Sequence, residues 1–311
     1  MKTTYDFIII GAGVAGLSAA GYAARANIKT LVLEGAGSGG QAQNIVHLEN
    51  YPGVFPSVSG TDFISTMKNQ ATTFGAEIKS ANVLSVDKIG KEFIIKTKEE
   101  DFSCTTLLLA TGASPRKLGC KGEQDLIGKG VSYCATCDGP FFRNKKIVVV
   151  GGGDSACDEA TFLSSLSSDI TVIHRKSQFR AQKAVAERVL NNPNITVKFN
   201  RELVEIQGKN KVESVIIKDN TTDTTETLQA DAVFIFIGAD PRTELMPILK
   251  QDANGYIITD ENMQTLVPGL FCAGDVRSKS FRQVVTAAAD GAIAAHSAEK
   301  YIREQKNEAY V

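Results

Sequence analysis

Two glycine-rich loops constrain the fold of this chain more than any other feature. Residues 11–16 read GAGVAG and residues 151–156 read GGGDSA, and each loop follows a short apolar stretch and precedes a helical pattern. The order strand, glycine loop, helix is typical of units that bind a dinucleotide, because the glycines let a pyrophosphate approach the helix N-terminus. The loops lie 140 positions apart, and so do Glu34 and His174, which end the next predicted strand of each copy. The chain is therefore predicted to be an α/β protein with two Rossmann-like dinucleotide-binding domains.

The residue at the end of the second strand differs between the two copies. In the first copy, Glu34 is placed to accept hydrogen bonds from ribose hydroxyls. In the second copy, His174, Arg175 and Lys176 are consecutive, with Arg180 close behind. Arg and Lys pair with a 2′-phosphate, so the first site is predicted to take a cofactor without that phosphate and the second NADPH. A solvated basic turn is the alternative interpretation of the second cluster.

A pair of cysteines lies about ten residues before the apolar stretch that leads into the second glycine loop. Cys134 and Cys137 are separated by two residues and followed directly by Asp138, a spacing that closes a small disulfide ring and favours one thiol as a low-pKa thiolate. Such a pair exchanges electrons. The neighbouring glycine loop therefore predicts a reductant site beside the dithiol.

Composition narrows the class of protein. The chain has 311 residues, which is more than one ordinary domain. Its net charge is −1 and it contains no Trp, so neither a basic surface nor an aromatic stacking surface for nucleic acid is apparent. Six cysteines are too sparse for a secreted disulfide framework. No stretch approaches the roughly 20 apolar residues of a membrane span. A cytoplasmic protein without a nucleic-acid or membrane partner is expected.

The second unit is predicted to be inserted into the first. Residues 114–117 and 239–242 contain Pro and polar residues and are plausible crossings out of and back into the first unit. The predicted domains are residues 1–115 with 243–311, and residues 116–242. The loop at residues 37–41 and the stretch at 49–53 form a long irregular segment, which is usually functional inside a compact domain.

Together these motifs resemble the low-molecular-weight, bacterial-type thioredoxin reductases, over essentially the whole chain. The carrying motifs, beyond the two loops, are residues 39–41, 49–53, 110–112, 134–139, 174–180, 274–275 and 282–283. The resemblance implies that the first domain holds FAD and that the inserted domain holds NADPH and the redox cysteines. It also implies a homodimer, rotation of the domains during turnover, and electron flow from NADPH through FAD and the Cys134–Cys137 disulfide to thioredoxin.

The resemblance carries over to individual residues. Cys137 would lie nearer the flavin, Cys134 would attack the disulfide of thioredoxin, and Asp138 would be general acid and base, so these three are the predicted catalytic residues. The predicted FAD contacts are Gly11, Gly13, Ala15, Gly16, Glu34, Gly40, Gln41, Asn50, Val83, Thr111, Gly112, Gly274, Asp275, Arg282 and Gln283. The predicted NADPH contacts are Gly151, Gly153, Asp154, Ser155, His174, Arg175, Lys176, Arg180 and Gly238. No metal site is predicted.

Pro140 departs from the family pattern. It stands where the family usually has an aromatic residue that helps to dock thioredoxin, and it precedes Phe141 and Phe142. A similar Cys-Asp-Gly-Pro run occurs in the flavoprotein of alkyl hydroperoxide reductase, which carries an additional N-terminal redox domain. A reductase of the same chemistry that serves a different thioredoxin-like or peroxide-reductase partner is therefore the alternative.

Other classes of protein explain fewer residues. A zinc site needs two further ligands at suitable spacing, whereas the remaining cysteines are single and lie in or beside apolar segments. A non-enzymatic nucleotide sensor needs no Cys134, Cys137 or Asp138. A ferredoxin reductase of related fold would lack the dithiol, and a dithiol oxidase relative would lack the basic cluster.

Overall fold

The structure is a computed structural model that describes residues 3–35, 37, 39–45 and 47–307. Ser38 of the predicted loop and the chain ends assigned to the predicted first domain lie outside the described residues. The strands are β1 (Thr3–Ile10), β2 (Thr30–Glu34), β3 (Glu77–Ser80), β4 (Ser85–Ile89), β5 (Glu92–Lys96), β6 (Asp101–Leu109), β7 (Ala113–Pro115), β8 (Val131–Ser132), β9 (Ile147–Gly151), β10 (Ile170–His174), β11 (Ile195–Phe199), β12 (Arg201–Gln207), β13 (Ser214–Asp219), β14 (Thr225–Gln229), β15 (Ala232–Phe236), β16 (Ala239–Pro241) and β17 (Leu270–Cys272). The helices are α1 (Val14–Arg25), α2 (Gly60–Thr73), α3 (Ala135–Asp138), α4 (Asp154–Ser164), α5 (Lys183–Leu190) and α6 (Val284–Lys306).

The chain divides into two compact units, of which the first is Met1–Ser114 with Asp240–Val311. Its main sheet has the order β3-β2-β1-β6-β5-β4, and β17 pairs with β6. The pairs of β1 with β2 and β6, and of β17 with β6, are parallel, whereas β4 and β5 add antiparallel strands. The carboxyl ends of β1, β6 and β17 therefore lie at the same edge of the sheet, which is where α/β proteins bind ligands.

Small residues let two helices of the first unit pack closely. A Cβ on Gly291 of α6 would overlap the carbonyl oxygen of Ala15 in α1. The Ser18 hydroxyl donates to the carbonyl of Ala288 at 2.7 Å, which ties the same two helices. This packing fixes the C-terminal helix directly against the helix that follows the first glycine loop. Helix α6 begins at Val284 and runs on to Lys306.

The second unit is Pro115–Ala239. Its five-stranded sheet is parallel in the order β11-β10-β9-β15-β8, and β12, β13 and β14 form an antiparallel sheet of their own. Strand β9 is buried at every position, as expected for a central parallel strand covered on both faces. Each unit thus repeats the strand, loop, helix arrangement, and the α/β prediction is confirmed.

The two chain crossings are short strands. Strands β7 and β16 pair with each other and form a two-stranded sheet. The Arg116 N–H donates to the carbonyl of Gly238 at 2.9 Å, and the Arg242 N–H donates to the carbonyl of Gly112 at 3.0 Å. In the described part of the chain, no helix has the length and apolar character needed to cross a membrane.

Candidate nucleotide and disulfide sites

The first glycine loop is crowded on one side and open on the other. Gly11 has φ +107°, and a Cβ there would overlap the carbonyl oxygen of Ala110, while a Cβ on Gly16 would overlap the carbonyl oxygen of Gly11. A Cβ on Gly13 meets no atom within 4 Å. Gly13 caps α1 without a side-chain hydrogen bond, and the first turn contains no acidic residue. The open face and uncapped N–H groups fit a pyrophosphate.

Glu34 lies at this loop. Its Oε2 accepts a hydrogen bond from the Ala12 N–H at 2.6 Å, so the carboxylate at the end of β2 is held beside the glycines. Gly39 donates from its N–H to the carbonyl of Ala12 at 2.8 Å, which brings the predicted Gly40 contact to the same loop. A Cβ on Gly40 would lie 3.8 Å from the Gly13 Cα. Three predicted cofactor contacts that are distant in sequence are therefore neighbours.

The other predicted contacts of the first unit lie in the segments around this edge. Asn50 donates to Gln283 Oε1 at 3.1 Å, and Gln41 donates from Nε2 to the Ala113 carbonyl at 2.5 Å. The Thr111 hydroxyl donates to the carbonyl of Arg242 at 2.6 Å, and Gly112 has φ +67°. Val83 is partly buried and packs against the hydrophobic core of the first unit, and its contact with FAD stays a prediction.

The C-terminal segment of the first unit contains polar atoms that are buried without a hydrogen-bond partner among the described residues. They are Asp275 Oδ1 and Arg282 Nε. The Arg282 guanidinium stacks 3.7 Å from the ring centroid of Tyr256, a contact that the sequence did not indicate. Strand β17 ends at Cys272, because Gly274 with φ +81° starts a 3-10 turn. Asp275 Oδ1 lies 3.5 Å from Lys279 Nζ, whereas a buried polar group such as Arg282 Nε is costly without a partner and therefore fits a bound polar ligand.

The second glycine loop repeats the geometry of the first. A Cβ on Gly151 would overlap the carbonyl oxygen of Phe236, whereas a Cβ on Gly153 meets no atom within 4 Å. Gly153 caps α4, where Ser155 is exposed in the first turn. Asp154 Oδ1 accepts from the Gln182 N–H at 2.7 Å. The Asp154 carboxylate therefore holds the segment between β10 and α5 to the start of α4.

His174 differs in character from the basic residues that follow it. The residue is 6% exposed, and its ring packs against Phe179 and Phe199 with centroids 5.9 and 6.4 Å away. A Cβ on Gly152 would overlap the imidazole ring. Burial lowers the pKa of His174, and the neighbouring Arg180 lowers it further. Burial thus favours the neutral form of His174, and its role as an NADPH contact stays a prediction.

Three cations remain at the second loop. Arg175, Lys176 and Arg180 are exposed. A backbone hydrogen bond holds Arg180 at the glycines, since the Arg180 N–H donates to the carbonyl of Gly152 at 2.7 Å, while Arg175 and Lys176 directly follow β10, the strand beside β9. Gly238, at the end of the strand next to β9, has φ +114°. The arrangement places positive charge beside an open helix N-terminus, which suits an anionic phosphate.

Cys134 and Cys137 form a disulfide with their Cα atoms 5.4 Å apart. Cys134 caps the short helix α3, and its Sγ accepts from the Cys137 N–H at 3.2 Å. The Ser132 hydroxyl binds both the N–H and the carbonyl of Cys134, at 3.1 and 3.3 Å. Cys137 is exposed, and Asp138 is half-buried at the end of the same turn. The structure thus brings the three predicted catalytic residues together at the surface of the second unit.

The remaining cysteines do not form disulfides and differ from this pair in their surroundings. Cys104, Cys157 and Cys272 are buried, and Cys120 is half-buried. Burial raises the pKa of Cys120 to about 11 and that of Cys157 to about 12, and it also raises the pKa of Cys272. These three thiols are protonated at neutral pH and are poor nucleophiles. Within the described residues, no group of three or more His, Cys, Asp or Glu side chains is arranged to hold a metal ion.

Comparisons with known proteins agree with this geometry. Residues 5–291 match the model of the pyridine nucleotide-disulphide oxidoreductase family. The chain is 53% identical to a thioredoxin reductase of Treponema pallidum over 99% of this chain and 100% of the relative. It is 45% identical to a thioredoxin reductase of Peptoclostridium litorale, over 98% of this chain and 99% of the relative. The crystal structure of Lactococcus lactis thioredoxin reductase matches with a TM-score of 0.94 and 40% identity, over 96% of this chain and 99% of that one.

The fold and the disulfide site define an oxidoreductase. The chain belongs to the pyridine nucleotide-disulphide oxidoreductase family and, within it, to the low-molecular-weight thioredoxin reductases. Membership of this family implies the use of a flavin and a pyridine nucleotide.

Proposed function

We propose that this chain is an NADPH-dependent flavoprotein that reduces the disulfide of a thioredoxin. The observation that carries the proposal is the surface disulfide Cys134–Cys137, which is followed by Asp138 and lies in the same unit as a basic glycine loop. Relatives that match over nearly the whole chain are thioredoxin reductases.

The two units would hold different cofactors. We assign FAD to the first unit, where the open loop at Gly13 and the Glu34 carboxylate suit a dinucleotide without a 2′-phosphate. We assign NADPH to the second unit, where the loop at Gly153 is open and the exposed Arg175, Lys176 and Arg180 follow the neighbouring strand β10. When bound, these cofactors would supply hydride transfer and the two electrons that open the disulfide.

The reduced cysteines would carry out thiol–disulfide exchange. The Cys134 thiolate attacks one sulfur of the partner disulfide, which forms a mixed disulfide and releases the other partner sulfur as a thiolate. Cys137 then attacks Cys134 Sγ, which restores the internal disulfide and releases the second partner sulfur. The partner gains two electrons and two protons, and the chain loses them. The Asp138 carboxyl, one residue after Cys137, is placed to take and return the thiol proton.

The hydrogen bonds at Cys134 support this division of roles. Its sulfur accepts from the Cys137 N–H at 3.2 Å and lies 3.4 Å from the Thr136 hydroxyl oxygen. In the disulfide neither sulfur carries a proton, so the Thr136 hydroxyl is the donor. Hydrogen bonds to a sulfur stabilise its thiolate form, which favours Cys134 as attacking and leaving sulfur.

The surface beside the disulfide would receive the protein partner. Pro140 is exposed and Phe141 is 80% exposed, whereas Phe142 packs against Phe234 with ring centroids 6.1 Å apart. One aromatic ring is therefore available to a partner. A thioredoxin-like or peroxide-reductase partner remains the second candidate, because Pro140 replaces the usual aromatic residue at this surface.

We also propose a homodimer and a cytoplasmic location. Tyr22 on α1, Phe74 after α2 and Ile293 on α6 are large apolar side chains of the first unit that are 57, 41 and 39% exposed, and they could be covered by a second copy. Light scattering behind size-exclusion chromatography tests the dimer. A redox dithiol and single buried cysteines suit a reducing compartment, and cell fractionation tests the location.

A coupled assay tests the proposed function. The purified protein should be yellow and should reduce an aromatic disulfide reporter with NADPH only when thioredoxin is supplied. Cys134→Ser should abolish that activity, with Cys120→Ser, a change at a free thiol, as the matched control. Reduction that is independent of thioredoxin, or equally fast with NADH, would contradict the proposal.

A further inference from the structure

Four charged side chains form a compact group in the first unit, close to the predicted flavin contacts. The Asp290 carboxylate, on α6, binds Arg277 Nη1 at 3.1 Å, Lys279 Nζ at 3.0 Å and the Gly274 N–H at 3.1 Å. Lys279 Nζ lies 3.5 Å from Asp275 Oδ1. We call these residues, Asp275, Arg277, Lys279 and Asp290, the acid–base cluster.

The two basic side chains of the acid–base cluster need two acidic side chains to balance their charge. Arg277 alone balances the charge of Asp290, and it is held in place by its Nε, which donates to Thr259 at 2.9 Å. The Lys279 side chain is only 8% exposed. A buried ammonium needs a counter-charge of its own, and Asp275 is the acid left to provide it.

Asp275 faces two ways. Its Oδ1 is buried and close to Lys279 Nζ, but without a hydrogen bond among the described residues, while its side chain as a whole is 37% exposed. A Cβ on the preceding Gly274 would lie 2.9 Å from the Cβ of Ala15, in the first turn of α1. Gly274 therefore packs against the first turn of α1, which follows the first glycine loop, and the Asp275 carboxylate has one oxygen turned inward to the ammonium.

We propose that Lys279 is a positioning residue of the flavin site, which orients the carboxylate of Asp275, a predicted FAD contact, to accept a hydrogen bond from the bound FAD. Asp290 and the Thr286 hydroxyl, 3.0 and 3.3 Å from Lys279 Nζ, anchor the ammonium. Lys279 acts through Asp275 and does not itself touch the cofactor. The inference rests on the proposed flavin site and goes beyond it, because it adds a residue that no motif of the sequence indicates.

The test measures the release of FAD rather than turnover. The purified full-length holoprotein is diluted, and the rate of FAD dissociation is read from the rise in flavin fluorescence. Lys279→Met should release FAD about tenfold faster than wild type, the loss expected for one charge-assisted hydrogen bond. Lys300→Met, the same change at an exposed position of α6, should release FAD at the wild-type rate. Asp275→Asn and the double variant complete the cycle.

Coupling distinguishes positioning from a general effect on stability. If Lys279 acts through Asp275, the double variant should release FAD no faster than the faster single variant. The inference would be overturned if the double variant released FAD faster by the product of the two single effects. It would also be overturned if Lys279→Met released FAD within twofold of the wild-type rate. Should Lys279→Met fail to fold by circular dichroism, Lys279→Gln, which keeps donors without the charge, is measured against the same thresholds. Wild-type protein that purifies without flavin would be colourless, and that result would overturn the proposed function as well. A yellow wild-type protein in which Lys279→Met has no effect would overturn the Lys279 inference alone.

Discussion

Replacement of Arg175 by Gln tests the assignment of the second nucleotide site. Arg175 is exposed and directly follows β10, the strand beside β9, and its carbonyl accepts a hydrogen bond from Asn220 Nδ2 at 3.2 Å. The neighbouring Lys176 carbonyl accepts from the Asn200 N–H at 3.1 Å. Because the backbone is held by these bonds, loss of the Arg175 side chain should leave the loop in place.

The expected magnitude follows from the exposure of the side chain. A hydrogen bond to a charged group contributes about 1.5–3 kcal/mol, and exposure to solvent places this one at the lower limit. A loss of about 1.5 kcal/mol corresponds to roughly a tenfold rise in KM for NADPH. NADH has no 2′-phosphate, so its KM should change less than twofold.

Steady-state kinetics with both nucleotides provide the assay. Lys209→Gln, which removes an exposed cation elsewhere in the same unit, is the matched control and should change neither KM. The effect should also shrink at high salt, because the contact is exposed. Equal changes in the two KM values for Arg175→Gln would refute the reasoning and leave the basic cluster as a solvated turn.

Three further predictions concern other parts of the chain. Gly11→Ala should lower the melting temperature and flavin content measured by calorimetry and absorbance, because φ is +107° and a Cβ would overlap the Ala110 carbonyl oxygen; unchanged values would contradict the packing described. Cys134→Ser should keep NADPH-dependent bleaching of the flavin while losing thioredoxin reduction, and loss of bleaching in rapid-mixing spectra would contradict its role. Burial raises the pKa of Glu159 to about 7 from 4.5, so the folded state binds the extra proton and the stability from this group falls as pH rises from about 4.5 to 7. Glu159→Gln should therefore raise the free energy of unfolding relative to wild type more at pH 8 than at pH 5 in denaturant titrations, and an equal difference at both values would show that Glu159 does not titrate in this window.

Local sequence order was sufficient to predict the two glycine loops and the disulfide. Gly11 and Gly151 lie at the carboxyl ends of apolar strands, where the close approach of neighbouring backbone leaves no space for a side chain. A few residues of sequence are enough to indicate this requirement. Cys134 and Cys137 are one helical turn apart, so their pairing also depends on local geometry. The resemblance to a known family then added contacts such as Asp275 and Arg282, whose positions no local pattern indicates.

Features that depend on tertiary packing could not be predicted. His174 follows an ordinary strand pattern, and only the aromatic rings of Phe179 and Phe199 around it reveal that it is buried. Lys279 and Asp290 are separated by a loop and a helix start, so their contact becomes visible only once α6 is placed. The raised pKa of Glu159 likewise follows from burial of a residue that occurs at an unremarkable helical position.

The central claim is that NADPH reduces the Cys134–Cys137 disulfide, and cysteine mapping tests it most directly. The native holoprotein is incubated anaerobically with and without NADPH, alkylated with iodoacetamide, and analysed by peptide mass spectrometry. NADPH should add label at Cys134 and Cys137, while the buried Cys104, Cys157 and Cys272 stay unlabelled in both samples. Absence of NADPH-dependent label at Cys134 and Cys137, or its appearance only at other cysteines, would contradict the account.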